Sequence, residues 1–490
     1  MDAESFASLA AEGYTRIPLT LQLRADLDTP LSAYLKLADG NDAYLLESVA
    51  GGETWGRYSF IGLPAGERVS VSNGVYRRER FGELIETRQV DDPLAEIDRL
   101  LAAERVPKLP GLPPFSGGWV GYFGFETVGY IEARLRRGDR PDRLGTPEIL
   151  LLLSEEVAVL DNKLGVLHLI VHADPAEPQA YAKARRRLDQ LAHRLRSAAP
   201  SYPEVLDPAV LTEADFVSDF SRESFELAVR RCQDYILAGD AFQIVLSQRL
   251  SVPFQARPVD VYRALRALNP SPYLYFLDFG DLQVVGSSPE ILYRVDDGKV
   301  VVRPLAGTRP RGATEAEDRA LAEGLLADPK ELAEHLMLID LGRNDVGRIA
   351  VPGTVSVPDQ MVIERYSHVM HIVSQVEGQL RAELSPMDIL RACFPAGTLS
   401  GAPKIRAIEI IQELEPIRRN LYGGAVGYLN WWGDSDLAIG IRTALIKDGR
   451  LHVQAGAGIV ADSDPGKEWE ETMNKGRALF RAVAQAAGGL

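Results

Sequence analysis

Over its first third the chain sets short apolar runs between turn residues, and this spacing predicts strands. Ala43-Tyr44-Leu45-Leu46-Glu47-Ser48 is one such run and residues 56–62 are another. Residues 149–153 read as a buried strand, cut short by Ser154-Glu155-Glu156. Lys108-Leu109-Pro110-Gly111-Leu112-Pro113-Pro114 reads as an irregular loop, because clustered Pro and Gly continue neither helix nor strand. The glycine-rich, aromatic residues 115–124 then suit a strand in a closely packed sheet. A basic, alanine-rich helix is expected over 180–197, just after Pro178, with a linker at 198–203.

The second half mixes periods. Phe225, Val229, Cys232 and Ile236 recur at helical spacing within 222–238. Strands are expected at 241–250, 273–279, 282–285, 424–428 and 451–455, with a final helix after the last. Residues 367–376 alternate, which places His368 and His371 on opposite faces of a strand. No internal repeat or low-complexity tract is present. The pattern predicts an α+β fold of largely antiparallel sheets covered by helices. It divides into an N-terminal part at 15–170, a helix and linker at 171–220, and a larger unit at 221–486.

Length and composition narrow the classes. At 490 residues the chain exceeds one ordinary core, and 46% hydrophobic with 25% charged residues describes a globular protein. Lys plus Arg number 54 against 69 Asp plus Glu, a net charge of −15. With no basic stripe, nucleic acid is excluded as a partner, whereas a small acid needs only a few placed cations. The two cysteines, Cys232 and Cys393, form no CxxC pair and suit a reducing compartment. The start lacks a signal-peptide pattern and no apolar stretch reaches membrane-spanning length, so a cytoplasmic protein is expected.

Two helix starts share one grammar. Asp328-Pro329-Lys330-Glu331 supplies an N-cap, a proline at the first helical position and an acid three places after the cap. Glu331 and Glu334 then share a helix face. Asp464-Pro465 opens a second helix bearing Glu468, Glu471 and Lys475. Each acid alone is explained by capping or a surface ion pair, but if the two helix ends converge they make a hard-oxygen site suited to Mg²⁺. No HExxH or Cys/His cluster offers zinc, and no repeated ExxH offers di-iron. Residues 397–404 lack the ending of a P-loop. Residues 456–461 lack the helix that a dinucleotide fingerprint needs at once. What remains there is a loop of accessible N–H groups beside Arg442 and Lys475, suited to carboxylates. Alone, His371 and Gln243 read as ordinary strand residues.

In order along the chain stand Gly286-Ser287-Ser288-Pro289-Glu290, Pro304-Leu305-Ala306-Gly307-Thr308-Arg309-Pro310-Arg311-Gly312 and Asp328-Pro329-Lys330-Glu331-Leu332-Ala333-Glu334-His335. They are followed by Asp340-Leu341-Gly342-Arg343-Asn344-Asp345, the 394–404 segment and Gly456-Ala457-Gly458-Ile459-Val460. Together they resemble the chorismate-utilising enzymes over residues 44–480, and within them the anthranilate synthase large-subunit branch. The resemblance implies a complex sandwich with an N-terminal regulatory part. It implies Mg²⁺ on Glu334 and Glu471 with Glu331 and Glu468 in support. It also implies substrate carboxylates on Tyr422, Arg442, Lys475 and the amides of Gly456, Ala457 and Gly458, with Thr398 near the reacting ring. Glu290 matches the general acid that protonates the leaving hydroxyl, its pKa raised by a neighbouring acidic site. His371 matches the base for aromatisation, an imidazole titrating near the working pH.

Two positions separate branches. Water-activating relatives resemble one another in carrying Lys where this chain has Gln243, and an amide does not titrate. Aminodeoxychorismate synthases often carry Lys where this chain has Ala306, which has no nucleophile. The implied reaction is a lyase conversion of chorismate and ammonia to anthranilate and pyruvate for tryptophan biosynthesis. Neither cysteine sits in a glutaminase context, so a separate glutamine amidotransferase subunit is expected, in a heterotetramer. Glu47 and Ser48, with Pro272, Tyr273 and Leu274, match the tryptophan site of feedback-regulated relatives. The alternatives are aminodeoxychorismate synthase or another chorismate-utilising enzyme, and a non-catalytic amino-acid-binding regulatory protein.

Overall fold

The computed structural model describes residues 1–38, 40–48, 56–136, 140–196, 209–366 and 369–490. Two sheets of twelve strands each dominate it, and every strand pairing within them is antiparallel. Alternation along the strands explains how they stack. In Tyr273–Asp278, Leu274 and Phe276 face one hydrophobic cluster while Tyr275 and Leu277 face another. In Ile149–Ser154 of the other sheet, Leu150 and Leu152 join that second cluster, and Ile149, Leu151 and Leu153 turn to a third. The shared cluster is therefore the filling of a sandwich, and helices cover both outer faces.

Neither sheet belongs to one half of the chain. Strand Ala43–Glu47 pairs with Tyr273–Asp278, and Gly118–Phe123 pairs with Ala425–Asn430, so N-terminal and C-terminal strands continue one another. The helix at Ala180–Arg196 forms as its pattern predicts, burying Ala184, Leu188 and Leu191. Arg222–Leu237 buries Phe225, Val229 and Cys232, while Ile236 is half-buried. The linker expected at 198–203 and the orientation expected for His368 lie outside the described residues.

One element departs from expectation. Residues 456–458 are not a loop; they continue the strand Arg450–Ile459, laddered to Gln243–Pro253 through Val245↔Gly458 and Ser247↔Gly456. Thr443–Lys447, on the other side, covers the strand only from Arg450 to Val453. Among the described residues the edge beyond it has no strand neighbour on that side, so the open backbone groups read from the sequence exist as a strand edge. The final helix, Pro465–Gly488, packs Leu479, Phe480, Val483 and Ala486 into the same cluster as Val261, Tyr262 and Leu265 of Pro258–Leu268. That burial fixes the direction in which its first three turns project Glu468, Glu471 and Lys475.

Candidate active site

Both helix starts cap as their sequences specify. Asp328 accepts from the Lys330 and Glu331 amides at 3.0 and 3.5 Å, and Asp464 accepts from the Lys467 amide at 2.9 Å. The two ends converge: Lys330 Nζ reaches Asp462, beside the second helix start, at 3.2 Å. Glu331 does not close a capping box, because its carboxylate takes a bond from Arg309 Nη1 at 2.9 Å. Burial raises the Glu334 pKa, a bond from Gln243 Nε2 at 3.2 Å opposes that, and the charges of Glu331 and Glu471 raise it further. Burial also raises Glu468, with Glu471 adding to it. Glu334 thus feels Glu331 and Glu471, and Glu468 feels Glu471.

Lys475 acts on Glu334, Glu468 and Glu471 together. Its Nζ lies 2.8 Å from Glu471 and donates to the Gly456 carbonyl at 2.9 Å. Among the described residues no three His, Cys, Asp or Glu side chains form a ready metal cage. A magnesium ion does not need one. It keeps several waters and takes one or two carboxylates together with oxygens of its substrate. The donor set, all hard carboxylate oxygen, fits Mg²⁺.

Glu290 follows the strand Leu282–Ser288 and is buried, with the Thr398 hydroxyl donating to its Oε1 at 2.9 Å. Burial pushes its pKa up to about 8, against the lowering effects of Thr398, Arg442 and Lys475. Desolvation, and not an acidic neighbour, is therefore what keeps this carboxyl protonated.

His371 lies in Val369–Gln379 opposite Thr308. A bulge between Ala306 and Thr308, where Gly307 adopts φ 64°, turns the Gly307 carbonyl to His371 Nδ1 at 3.0 Å. A carbonyl only accepts, so Nδ1 carries the proton and Nε2 the lone pair. The Thr308 hydroxyl also contacts Nδ1, at 3.1 Å, and the Tyr366 ring stands edge-on to the imidazole. Burial pushes His371 down to about 4, so it is a neutral base well away from its titration at pH 7. Thr308, Gly307 and Tyr366 carried no individual signal in the sequence; the bulge places the first two, and the Tyr366 amide bonds to the Val369 carbonyl at 2.8 Å.

Arg442 links the acid to the base, being electrostatically coupled to both Glu290 and His371. It sits at φ 49°, a left-handed conformation unusual for a residue with a side chain. Tyr422 is buried under the strand edge, where a Cβ on Gly456 would stand 2.6 Å from its Oη. A Cβ on Gly458 would likewise stand 2.5 Å from Gln243 Nε2. At Gly456 a Cβ would also meet the Leu246 carbonyl at 2.9 Å, so that position takes glycine.

Acid, base, acidic helix ends and open strand edge thus occupy one place, and residues 65–481 match the family described as chorismate binding enzyme. The chain belongs to that family. Chorismate binding enzymes similar to it include anthranilate synthase component 1 of Pseudomonas aeruginosa, 59% identical over 99% of both chains. The same component from Neisseria meningitidis is 54% identical over 99% of both. The crystal structure of anthranilate synthase component I from Streptococcus pneumoniae superposes with a TM-score of 0.78 at 40% identity, covering 94% of this chain and 98% of that one. The Escherichia coli menaquinone-specific isochorismate synthase MenF, 19% identical with a TM-score of 0.73, shares the fold.

The residues matched to tryptophan binding lie along another stretch of the sheet. Glu47 pairs with Leu274, and its carboxylate is taken by Arg266 Nε at 2.6 Å and by the Tyr262 hydroxyl. Leu274 is buried in the outer core, and Tyr273 donates to Asp436 at 2.8 Å. Pro272 and Tyr273 also wall a cavity of about 20 Å³ that reaches Pro289 and Tyr366.

Proposed function

We propose that this chain converts chorismate and ammonia to anthranilate and pyruvate. The observation that carries the reading is a carboxyl and an imidazole both buried about Arg442, where burial pushes the carboxyl up to about 8 and the imidazole down to about 4. At neutral pH one is an acid holding its proton and the other a base with a free lone pair. Glu290 protonates the ring hydroxyl as ammonia adds, so that water leaves. His371 Nε2 then takes the ring proton as the enolpyruvyl group leaves as pyruvate, and the ring aromatises.

Arg442, Lys475, Tyr422 and the strand edge at Gly456–Gly458 hold the two substrate carboxylates. Glu334 and Glu471 would bind Mg²⁺, with Glu331 and Glu468 in support; when bound, the ion neutralises a substrate carboxylate among these acids. Gln243, an amide committed to Glu334, cannot activate water, and Ala306 offers no nucleophile. Ammonia, already a nucleophile, needs neither.

The ammonia comes from a glutaminase partner. Cys232 and Cys393 are buried, and burial pushes the Cys232 thiol up to about 12 and Cys393 higher, so neither serves as a glutaminase thiolate. The purified chain with chorismate, Mg²⁺ and ammonium should give anthranilate, and none with glutamine in place of ammonium. Isochorismate or 4-amino-4-deoxychorismate as product overturns the branch assignment; glutamine-supported turnover overturns the partner.

A further inference from the structure

Arg419 is among the most deeply buried large side chains of the protein, 1% exposed. A guanidinium removed from water costs several kcal/mol unless its donors are filled, so what fills them is informative. Nε and Nη2 bind the two oxygens of Glu415 at 2.9 and 2.6 Å. Nη1 donates to the Leu399 carbonyl and Nη2 to the Val245 carbonyl, both at 2.7 Å. Glu415 in turn accepts from the Ser247 amide and hydroxyl at 2.9 and 2.7 Å.

Leu399, Val245 and Ser247 each adjoin a group that faces the site. Leu399 follows Thr398, which holds Glu290. Val245 is paired with Gly458 and Ser247 with Gly456. The guanidinium also lies 5.4 Å from the centroid of the Tyr422 ring. One buried ion pair therefore ties together the Thr398 helix, the partner strand of the open edge, and Tyr422.

We propose that Arg419, clamped by Glu415, is a positioning residue that sets the carboxylate-binding side of the site against Thr398. This rests on the reading of Tyr422, Thr398 and Gly456–Gly458 as substrate-contacting groups. A stabilising role alone requires an ion pair, but not one whose remaining donors end on two site-bearing backbones. Lysine cannot replace it, because a single ammonium does not span Glu415 and two carbonyls in a plane.

The test uses the full chain carrying Arg419→Lys, and the double variant Arg419→Met/Glu415→Met, which removes both charges of the pair and leaves Arg140, 3.9 Å from Glu415, its second acidic neighbour Glu126. Chorismate affinity is measured by calorimetry with Mg²⁺ and without ammonium, beside thermal unfolding and turnover with ammonium. Folded variants should lose on the order of 10²-fold in kcat/KM, a loss typical of sub-ångström to ångström misplacement. Most of it should appear as weaker chorismate binding, with the KM for ammonium unchanged. A folded double variant with wild-type chorismate affinity overturns the clamp. If the double variant does not fold, Arg419→Lys decides: wild-type affinity there overturns it equally. A wild-type chain that binds no chorismate refutes the functional reading itself, and wild-type binding with unaltered variants refutes the clamp alone.

Discussion

The Thr398 hydroxyl donates to the Glu290 carboxylate at 2.9 Å, and it is the strongest influence opposing the burial that raises that carboxyl to about 8. The bond favours the charged form, so it holds the pKa down. In the proposed reaction Glu290 works protonated, and kcat/KM should therefore fall as pH rises through about 8. Thr398→Val removes the donor, raises the pKa and moves this alkaline limb to higher pH, by about one pH unit for a bond to a charged group. A limb that stays in place or moves to lower pH contradicts the assignment.

Removing either proton-transfer group should arrest a different step. Glu290→Gln should reduce kcat by about 10²–10⁴-fold with chorismate affinity retained. His371→Ala should still aminate but not aromatise, so rapid-quench samples should contain aminodeoxyisochorismate and little anthranilate. Near-normal turnover in either variant removes that residue from its role.

Much of this was legible in the sequence. The two Asp-Pro helix starts cap as written, because N-cap chemistry is local and needs no tertiary information. The strand at 273–279 formed within one residue of its apolar pattern. The Gly456–Gly458 segment misread as a loop because its glycines signal a turn, whereas here they admit Tyr422 and Gln243 against a strand. The raised pKa of Glu290 was expected, but from an acidic neighbour, whereas burial is what raises it; the lowered pKa of His371, again set by burial, was not legible, because burial is a tertiary property.

Chelation should abolish turnover, and readdition of Mg²⁺ should restore it. Glu334→Gln and Glu471→Gln should lose more metal affinity than Glu331→Gln and Glu468→Gln, for which a 10–100-fold loss is the scale of a supporting group. Metal titration followed by calorimetry checks the order. Equal affinities across all four variants contradict the division of labour.

Tryptophan should bind and weaken chorismate binding, and by linkage chorismate should weaken tryptophan by the same factor. Ser48→Phe should leave turnover largely intact and insensitive to tryptophan. The Glu47 carboxylate already faces Arg266 and Tyr262, so Glu47→Gln should chiefly lower thermal stability, by about 1–3 kcal/mol for a broken buried charged bond. Calorimetry that detects no tryptophan binding to the wild type, or full inhibition surviving in Ser48→Phe, counts against the site.

The central claim is that one site aminates chorismate and then expels pyruvate. Incubating the purified chain with chorismate, Mg²⁺ and ¹⁵N-ammonium, and quantifying products by mass spectrometry, tests it most directly. Anthranilate carrying the label, with pyruvate in equal amount, is the predicted result; labelled 4-amino-4-deoxychorismate, or isochorismate without label, contradicts it.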